Sequence, residues 1–213
     1  GLLMKVLIAC EFSGIVRDAF IERGHDAISC DLLPSELHGP HYQGDVRDVL
    51  KSEKWDLMIA HPPCTYLANS GSRWLYNSDG SKNIQRWNAM KEATEFFNEL
   101  LSANIHKIAI ENPIQHKHAR ELIKEHYAQT IQPWLFGHGE TKQTCLWLKN
   151  LPLLQPTNIV DGRAARVHRL PPSDTRWKER SRTYEGIAQA MAEQWGKCTK
   201  FRHNDYSECL EAV

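Results

Sequence analysis

KVLIACEFSGIVRDAFIERGHDAISCD, residues 5–31, contains two strands and a helix in the order typical of an α/β domain. Its first part, KVLIAC (5–10), is a continuous apolar run of the kind found in strands that are buried on both faces. Helical spacing follows over residues 15–24 and stops at Gly24. DAISCD (26–31) then reads as a second strand. This order predicts an α/β fold with a mainly parallel sheet.

The same alternation of strands and helices continues along the chain. Further strands are predicted at 56–60 and 107–111, with a late strand pair at 129–136 and 143–148. Further helices are predicted at 46–52, 86–103, 118–127 and 183–196. Residues 150–182 carry many of the prolines and arginines, and we expect them to be irregular. We therefore predict one catalytic domain over residues 4–196 and a polar C-terminal tail over 197–213.

The composition limits the classes of function that the chain can have. Hydrophobic residues make up 41% of the 213 residues and charged residues 24%, which is enough to build a buried core. The formal net charge is zero, so any attraction to nucleic acid must come from a local patch. No apolar run reaches the roughly 18 residues of a membrane span, and we expect no membrane partner. No set of histidines and cysteines has the spacing of a metal site, so we predict no metal.

The six cysteines are widely separated and include no C-x-x-C pair. Three residues precede Met4, and we expect the natural chain to begin at Met4 without a signal peptide. Cysteines in a chain without a secretory signal are usually reduced, so we expect a cytoplasmic protein with free thiols.

Polar residues follow the first strands at the positions where ligands collect in open α/β sheets. The turn EFSG (11–14) lets backbone N–H groups and a helix N-terminus approach a ligand, although it is also compatible with an ordinary turn. Asp31 ends the second strand and could accept hydrogen bonds from both ribose hydroxyls of a nucleoside. Asp45 could accept the amino group of adenine. The alternatives are a surface or capping role for Asp31 and a helix N-cap role for Asp45. Together these residues predict an adenosine-type cofactor.

A rigid segment, HPPC (61–64), follows the strand at 56–60. Its two prolines fix φ and remove backbone donors, so they form a stiff mount for Cys64 at the carboxyl end of the strand. A cysteine thiolate is a strong nucleophile, whereas most free cysteines are buried and inert. The strand at 107–111 ends with Glu111, which we expect at the same edge of the sheet. A thiol and a carboxyl group on neighbouring strand ends favour a catalytic site.

These motifs resemble those of the cytosine-C5 DNA methyltransferases, and in particular the small phage-type members of that family. The resemblance covers about residues 4–196. It rests on the order and spacing of EFSG (11–14), Asp31, GDVRDV (44–49), PPC (62–64), ENP (111–113) and YEGIAQAMA (184–192). It implies a Rossmann-like methyltransferase fold, S-adenosylmethionine as cofactor and DNA as partner, with the target cytosine flipped out or unpaired. It also implies a bacterial or phage-infected host cell.

The resemblance further implies a role for each matched residue. Cys64 would attack C6 of cytosine, and Glu111 would engage N3 and the exocyclic amine while C5 takes the methyl group. Arg163 and Arg166 are candidates for the arginine pair that holds the base. The implied cofactor-binding residues are Phe12, Ser13, Gly14, Asp31, Asp45, Pro62 and Gly186.

The chain departs from the family pattern in several places. Ile15 and Val16 follow FSG where the family has a glycine-rich run. Thr65 follows PPC where glutamine is usual, and Pro113 stands where valine is usual. Only about seventy residues separate Pro113 from Tyr184, and most of them must complete the sheet. We therefore expect the target-recognition domain to be reduced or absent.

Two segments are candidates for contact with nucleic acid. Residues 71–87 interleave aromatic and cationic side chains, a pattern that suits stacking on unpaired bases, although the tryptophans could instead pack on the domain. The residues singled out there are Arg73, Trp74 and Arg86. Residues 163–182 hold six arginines and one lysine against two acidic residues, which predicts a phosphate-binding surface; a solvated loop is the alternative. Its candidates are Arg176, Arg180 and Arg182.

Two other functions remain open on the sequence alone. The same chemistry could act on a free pyrimidine nucleotide or on RNA, and the chain could bind S-adenosylmethionine or DNA without catalysis. The presence of both Cys64 and Glu111 favours catalysis. The sequence leaves open the recognised site and the oligomeric state.

Overall fold

The structure is a computed structural model that describes residues 3–197. The predicted tail over 197–213 lies outside the described residues apart from Lys197. The seven described strands are β1 (Lys5–Ala9), β2 (Asp26–Asp31), β3 (His41–Gln43), β4 (Leu57–Ala60), β5 (Lys107–Asn112), β6 (Gln129–Ile131) and β7 (Thr144–Lys149). They form one sheet in the order β3-β2-β1-β4-β5-β7-β6. All neighbouring strands are parallel except β7, which runs antiparallel to β5 and β6. The predicted Rossmann-like fold with a mainly parallel sheet is confirmed.

The described helices connect these strands. The α-helices are α1 (Ile15–Glu22), α2 (Val46–Leu50), α3 (Ile84–Leu101), α4 (Lys117–Leu122), α5 (Arg176–Ser181) and α6 (Glu185–Gly196). Short 3-10 helices cover Asn69–Leu75, Pro133–Leu135 and Val167–Arg169. None of the helices between residues 3 and 197 is both long and apolar enough to cross a bilayer.

The core lies on both faces of the sheet because successive strand residues point to opposite sides. Val6 and Ile8 of β1 pack with α1 and α6, whereas Leu7 and Ala9 pack with residues of α3. Every residue of β4 is buried. Complete burial of an aliphatic side chain contributes about 1.5–3 kcal/mol, so the central strands form a rigid support for whatever follows them.

Most helix and strand boundaries differ from the predicted ones by a few residues, each for a local reason. Helix α3 begins at Ile84 because the Asn83 side chain accepts a hydrogen bond from the N–H of Arg86. The strand predicted at 129–136 ends at Ile131, since Pro133 begins a 3-10 helix. Helix α4 ends at Leu122, where the chain turns to extended backbone.

One strand and one α-helix were not predicted at all. Strand β3 is a three-residue edge strand with no apolar alternation, so period-two patterning could not reveal it. Helix α5 lies inside the segment predicted to be irregular and buries none of its residues. A helix without a buried stripe gives no helical hydrophobic period in the sequence.

Candidate active site

The segment after β4 is fixed to the carboxyl edge of the sheet by hydrogen bonds. The N–H of His61 donates to the carbonyl of Ala9 at 2.9 Å, which extends the pairing of β4 with β1. The Asn112 side-chain amide at the end of β5 donates to the carbonyl of Pro62 at 2.9 Å. The prolines therefore lead from the sheet to Cys64 along a path that is held on both sides.

A buried charge pair joins the ends of β4 and β5. His61 Nε2 lies 3.5 Å from Glu111 Oε2 and 3.2 Å from the hydroxyl of Thr183. Burial alone would raise the pKa of Glu111, but the neighbouring His61 outweighs it and lowers that pKa. Burial alone would likewise lower the pKa of His61, but Glu111 and Glu11 outweigh it and raise it. Each group therefore favours the charged form of the other.

Cys64 is half-buried, and burial raises the pKa of its thiol. Two cations act in the opposite direction, Lys142 and Arg180. Burial lowers the pKa of Lys142, while Glu111 and Cys64 raise it, so this amine interacts with both residues of the predicted catalytic pair. The Lys142 ammonium also donates to the carbonyl of Arg180. Burial thus favours the thiol form of Cys64, whereas Lys142 and Arg180 favour the thiolate.

A cavity of about 270 Å³ opens at the carboxyl ends of β1 and β2. Its lining residues are Cys10, Cys30, Asp31, Leu32, Gly44, Asp45, Val46, Arg47, Pro63 and Phe96. Asp31 accepts a hydrogen bond from the N–H of Leu33 at 2.8 Å, and burial raises the pKa of its carboxyl group. Asp45 caps α2 by accepting from the N–H of Arg47 at 2.9 Å, as the capping interpretation predicts, and it also lines the cavity.

The turn after β1 is ordered by its own side chains. Glu11 is buried and accepts from the N–H groups of Val16 and Arg17, at 3.0 and 3.1 Å, at the start of α1. Gly14 has φ 81°, and a Cβ there would lie 2.6 Å from the Arg17 guanidinium, so glycine is required. Phe12 packs edge-on against Trp177 at 5.7 Å between ring centroids.

The predicted cofactor residues divide into two groups. Asp31 and Asp45 line the large cavity, and Phe12 and Ser13 line a water-sized cavity beside it that shares Cys10. The other three, Gly14, Pro62 and Gly186, line neither of these cavities.

Those three have packing contacts of their own. Pro62 is buried, and its neighbour Pro63 lines the large cavity in its place. Gly186 packs against the backbone of Phe136, where a Cβ would lie 2.0 Å from the carbonyl oxygen, and its N–H donates to His138 Nε2 at 2.9 Å. Gly186 therefore serves the packing of α6.

The two arginines considered for holding the base contact other residues. The Arg163 guanidinium stacks on Trp134 at 3.7 Å from the ring centroid. Arg166 forms a salt bridge to Glu140 at 2.5 Å and a longer one to Glu179. The cations that act on Cys64 are instead Lys142 and Arg180, named above.

The surface after Cys64 combines exposed aromatic rings with cations. Trp74 is 54% exposed and lies under the Arg73 guanidinium, 4.6 Å from its ring centroid. Arg86 donates to the carbonyl of Thr65 at 2.8 Å and lies over the ring of Tyr66 at 4.6 Å. Arg86 therefore contacts the segment directly after Cys64, and Arg73 and Trp74 lie in the 3-10 helix that follows this segment. We call Tyr66, Arg73, Trp74, Tyr76, Lys82 and Arg86 the aromatic surface.

The predicted phosphate-binding arginines differ in how far they are already paired. Arg182 forms two hydrogen bonds to Glu36, at 2.8 and 2.7 Å, and a salt bridge to Glu179 at 2.9 Å. Arg180 donates to the carbonyl of Val167. Arg176 makes a single long contact to the carbonyl of Leu170 at 3.4 Å. Arg182 thus links the segment to the domain, while most N–H donors of Arg176 are available for a ligand.

The sequence analysis missed His61, Lys142 and Thr183 as site residues. His61 precedes the two prolines. The sequence does not show that it lies beside Glu111, so it gave no reason to assign His61 to the site. Lys142 comes just before β7, and the antiparallel insertion of β7 beside β5 carries it to the carboxyl edge of the sheet. No group of three or more His, Cys, Asp or Glu side chains within residues 3–197 could hold a metal ion.

Comparisons with known proteins give similar folds at low identity. No family model and no curated protein matches the chain. An E. coli prophage protein described as a DNA modification methyltransferase is 14% identical with a TM-score of 0.46, over 79% of this chain and 55% of that one. The 16S rRNA methylase RmtB is 15% identical with a TM-score of 0.37, over 70% and 56%. The Entamoeba histolytica methyltransferase EhMeth is 16% identical with a TM-score of 0.40, over 81% and 61%.

This chain therefore spans less than two thirds of the length of each of these proteins. At such low identities and TM-scores, the likenesses carry no argument about what the chain binds or does. The function must be argued from the site.

Proposed function

We propose that the chain transfers a methyl group from S-adenosylmethionine to C5 of cytosine in DNA through a covalent bond between Cys64 and C6. One observation carries this proposal: Cys64 follows β4, Glu111 lies near the end of the neighbouring parallel strand β5, and the half-buried Lys142 acts electrostatically on both. The cavity lined by Asp31 and Asp45 opens at the same edge of the sheet. A nucleophile, a carboxylate and a nucleoside-sized cavity thus share one edge.

The residues around the large cavity fit an adenosine group. Asp31 is half-buried, and a carboxylate there gains from donors such as ribose hydroxyls because burial otherwise disfavours its charge. Phe96 gives an apolar wall for a purine ring. Asp45 retains an oxygen beyond the one that caps α2, although that oxygen lies 3.3 Å from Arg47. S-adenosylmethionine, when bound, supplies an electrophilic methyl group for C5.

Cys64 provides the nucleophile in this mechanism. C5 of cytosine reacts poorly until a nucleophile adds to C6, which places electron density on C5. The addition needs the thiolate, and Lys142 and Arg180 favour that form against the effect of burial. After methylation the C5 proton passes to solvent, its bonding electrons restore the C5–C6 double bond, and the Cys64 thiolate leaves C6 with the electrons of the C–S bond.

Glu111 acts on the polar edge of the base. When the thiolate adds to C6, negative charge develops toward N3 of the ring. A carboxyl group that accepts from the exocyclic amine and donates its proton to N3 positions the ring and neutralises this charge. Its oxygen Oε2 lies 3.5 Å from His61 Nε2 and makes no closer hydrogen bond among the described residues.

The aromatic surface is the proposed contact for DNA. It begins directly after Cys64 and combines exposed rings with cations, which suits stacking on unpaired bases and contact with phosphates. A cytosine flipped out of the duplex, or already unpaired, would reach Cys64 from this side. Arg176 and Arg180 are the proposed phosphate contacts of the later arginine segment.

A second candidate is the same reaction on a free pyrimidine nucleotide. It is favoured by the internal pairing of arginines that would otherwise contact a DNA backbone. Arg163 stacks on Trp134, and Arg166 and Arg182 form salt bridges. A small substrate needs fewer free cations than a nucleic acid does.

The deciding experiment supplies methyl-labelled S-adenosylmethionine with four substrates in parallel. The substrates are duplex DNA, single-stranded DNA, RNA and dCMP, and the products are digested and identified by mass spectrometry. We expect labelled 5-methyl-2′-deoxycytidine from DNA. The same product from dCMP alone would show that the substrate is the free nucleotide and not DNA. Label on an exocyclic nitrogen, or no label in any arm, would contradict the carbon chemistry.

A further inference from the structure

We infer that the chain takes its target cytosine from an unpaired DNA strand, and that the aromatic surface selects this strand by stacking on bases that flank the target. The inference deepens the proposed function and rests on it, because it names the form of DNA that the same site accepts. The proposed function by itself is equally compatible with a duplex from which the cytosine is flipped out.

The rings of the aromatic surface are open to a ligand. Trp74 is 54% exposed, Tyr76 43% and Tyr66 38%. All three lie within twelve residues after Cys64. A single exposed hydrophobic residue is ordinary on a protein surface. Three exposed rings on one segment that follows a nucleophile instead suit a ligand with flat faces, such as the bases of a nucleic acid.

The surface is held rigidly although its rings are exposed. Leu75 ends the 3-10 helix of this segment and is buried. Its carbonyl accepts from the N–H of Asn83 at 2.8 Å and from the indole N–H of Trp87 at 2.9 Å. Tyr76 and Lys82 pair across a short antiparallel bridge. Rings that are already fixed lose little conformational entropy when a ligand binds.

A side-chain contact joins this surface to the nucleophile. Arg86 donates to the carbonyl of Thr65, the residue directly after Cys64, at 2.8 Å. Its guanidinium also lies 4.6 Å from the centroid of the Tyr66 ring. A nucleotide next to a cytosine bound at Cys64 would therefore lie beside Tyr66 and Arg86.

The charge of the segment complements a nucleic-acid strand. Residues 61–91 contain four lysines and arginines and one acidic residue, Asp79. Within residues 3–197, Arg73, Lys82 and Arg86 form no salt bridge. Each lies instead over an aromatic ring, between 4.4 and 4.6 Å from its centroid. Such cations can bind phosphates while the rings stack on bases.

An unpaired strand uses this surface better than a duplex does. In a duplex the faces of the bases are covered by their neighbours, so a protein ring can stack on them only after the bases are unpaired and unstacked. A duplex is bound mainly through its phosphates. In the later arginine segment, however, Arg166 and Arg182 are already paired with carboxylates. An unpaired strand offers base faces and phosphates together.

The first test measures binding to the full chain by fluorescence anisotropy, and it needs no activity. The probes are a labelled single-stranded DNA, the same sequence as a duplex, and the same sequence as single-stranded RNA. We expect the single-stranded DNA to bind at least about tenfold more tightly than the duplex, because stacking on even one or two bases contributes that much. Equal or tighter binding of the duplex, or tighter binding of the RNA, would overturn the inference.

Variants of the rings test whether stacking is the cause. Tyr66→Ala and Trp74→Ala should each weaken binding of the single-stranded DNA roughly five- to hundredfold and leave binding of the duplex nearly unchanged. Trp74→Phe should keep most of the affinity, since it retains a face for stacking. Both residues are exposed, so the variants should fold; if one of them does not, the other still decides. Binding of single-stranded DNA equal to that of the parent protein would overturn the inference.

Tyr42→Ala is the matched control for Tyr66→Ala. Tyr42 is 37% exposed, almost the same as Tyr66, but its hydroxyl donates to the carboxylate of Asp48 and it lies on the edge strand β3. An exposed ring beside an acidic group should not attract a DNA strand, so this variant should bind all three probes as the parent protein does. An equal loss of affinity in Tyr42→Ala and Tyr66→Ala would contradict selection by the aromatic surface.

A hairpin oligonucleotide separates this inference from the proposed function. It carries one cytosine in its loop and one in its stem, and it is incubated with methyl-labelled S-adenosylmethionine. We expect label on the loop cytosine only. Equal labelling of the stem cytosine would overturn the inference and leave the proposed function standing. If neither cytosine is labelled, the proposed function fails, while the binding measurements still decide whether the aromatic surface selects an unpaired strand.

Discussion

The two halves of the sheet's carboxyl edge differ in how far their polar side chains are hydrogen-bonded. At the ends of β1 and β2, the side chains of Glu11, Ser13, Asp31 and Asp45 all accept hydrogen bonds from nearby backbone N–H groups. At the ends of β4 and β5, several buried polar atoms have no hydrogen-bond partner among the described residues. These atoms are His61 Nδ1, Glu111 Oε2, Asn112 Oδ1 and both amide atoms of Gln115.

The difference agrees with the proposed division of roles between the two halves. A buried polar atom without a partner costs about 1–3 kcal/mol, so we expect water or a substrate to bond these atoms. The β1–β2 half is ordered before any ligand binds, as suits a cavity that only has to hold a cofactor. The β4–β5 half keeps charge and unused hydrogen-bonding capacity beside a thiol, as suits a reaction.

The largest effect is expected in the β4–β5 half, from Cys64→Ser. A serine hydroxyl is a far weaker nucleophile than a thiolate, so turnover should be abolished while binding of S-adenosylmethionine is nearly unchanged. DNA that contains 5-fluorocytosine should form a covalent adduct with the parent protein only. Normal turnover by the serine variant, or an adduct with it, would show that Cys64 is not the nucleophile.

A smaller effect is expected from Lys142→Met, which removes the cation shared by Cys64 and Glu111. Loss of one preorganised charged group typically lowers kcat on the order of 10²-fold. The pKa of Cys64 should rise further, so the remaining activity should shift to higher pH. Arg163→Met is the matched control, because that cation stacks on Trp134. Equal losses in both variants would mean that Lys142 acts only through folding.

In the β1–β2 half, Asp31→Ala should weaken the binding of S-adenosylmethionine and leave the fold intact. A hydrogen bond to a charged group contributes roughly 1.5–3 kcal/mol, so the dissociation constant for S-adenosylmethionine should rise at least about tenfold by calorimetry. Asp26→Ala, at the exposed start of the same strand, should leave it unchanged. An unaltered constant in Asp31→Ala would place the adenosine group outside the cavity.

The sequence predicted the strand ends at this edge but not the residues that contact them, for a physical reason. Apolar runs and their turns depend on local periodicity, so β2 was predicted with its observed boundaries and Cys64 and Glu111 were expected at strand ends. The partners of those residues depend on topology. Nothing in residues 129–148 shows that β7 inserts between β5 and β6, and only that insertion brings Lys142 to the site. His61 and Glu111 are likewise fifty positions apart in the chain.

The arginines of 163–182 show the same limit. Composition predicted a uniform basic surface, whereas the fold divides the arginines by their partners. Glu36 lies on the loop after β2, far away in the sequence, and it neutralises Arg182. Whether a cation is free cannot be read from the segment that contains it.

The smallest expected effect uses this division of the arginines. Each phosphate contact that is lost should lower the slope of log affinity against log salt by roughly 0.7–0.9. Arg176→Ala should therefore flatten the salt dependence of DNA binding by about one contact, equally for all sequences, since Arg176 keeps most of its donors. Arg182→Ala should leave the slope unchanged and instead lower thermal stability slightly, because its charge is already paired with Glu36 and Glu179. The reverse result, a flatter slope for Arg182→Ala alone, would mean that DNA displaces those carboxylates. No change in either variant would leave the aromatic surface as the contact for DNA.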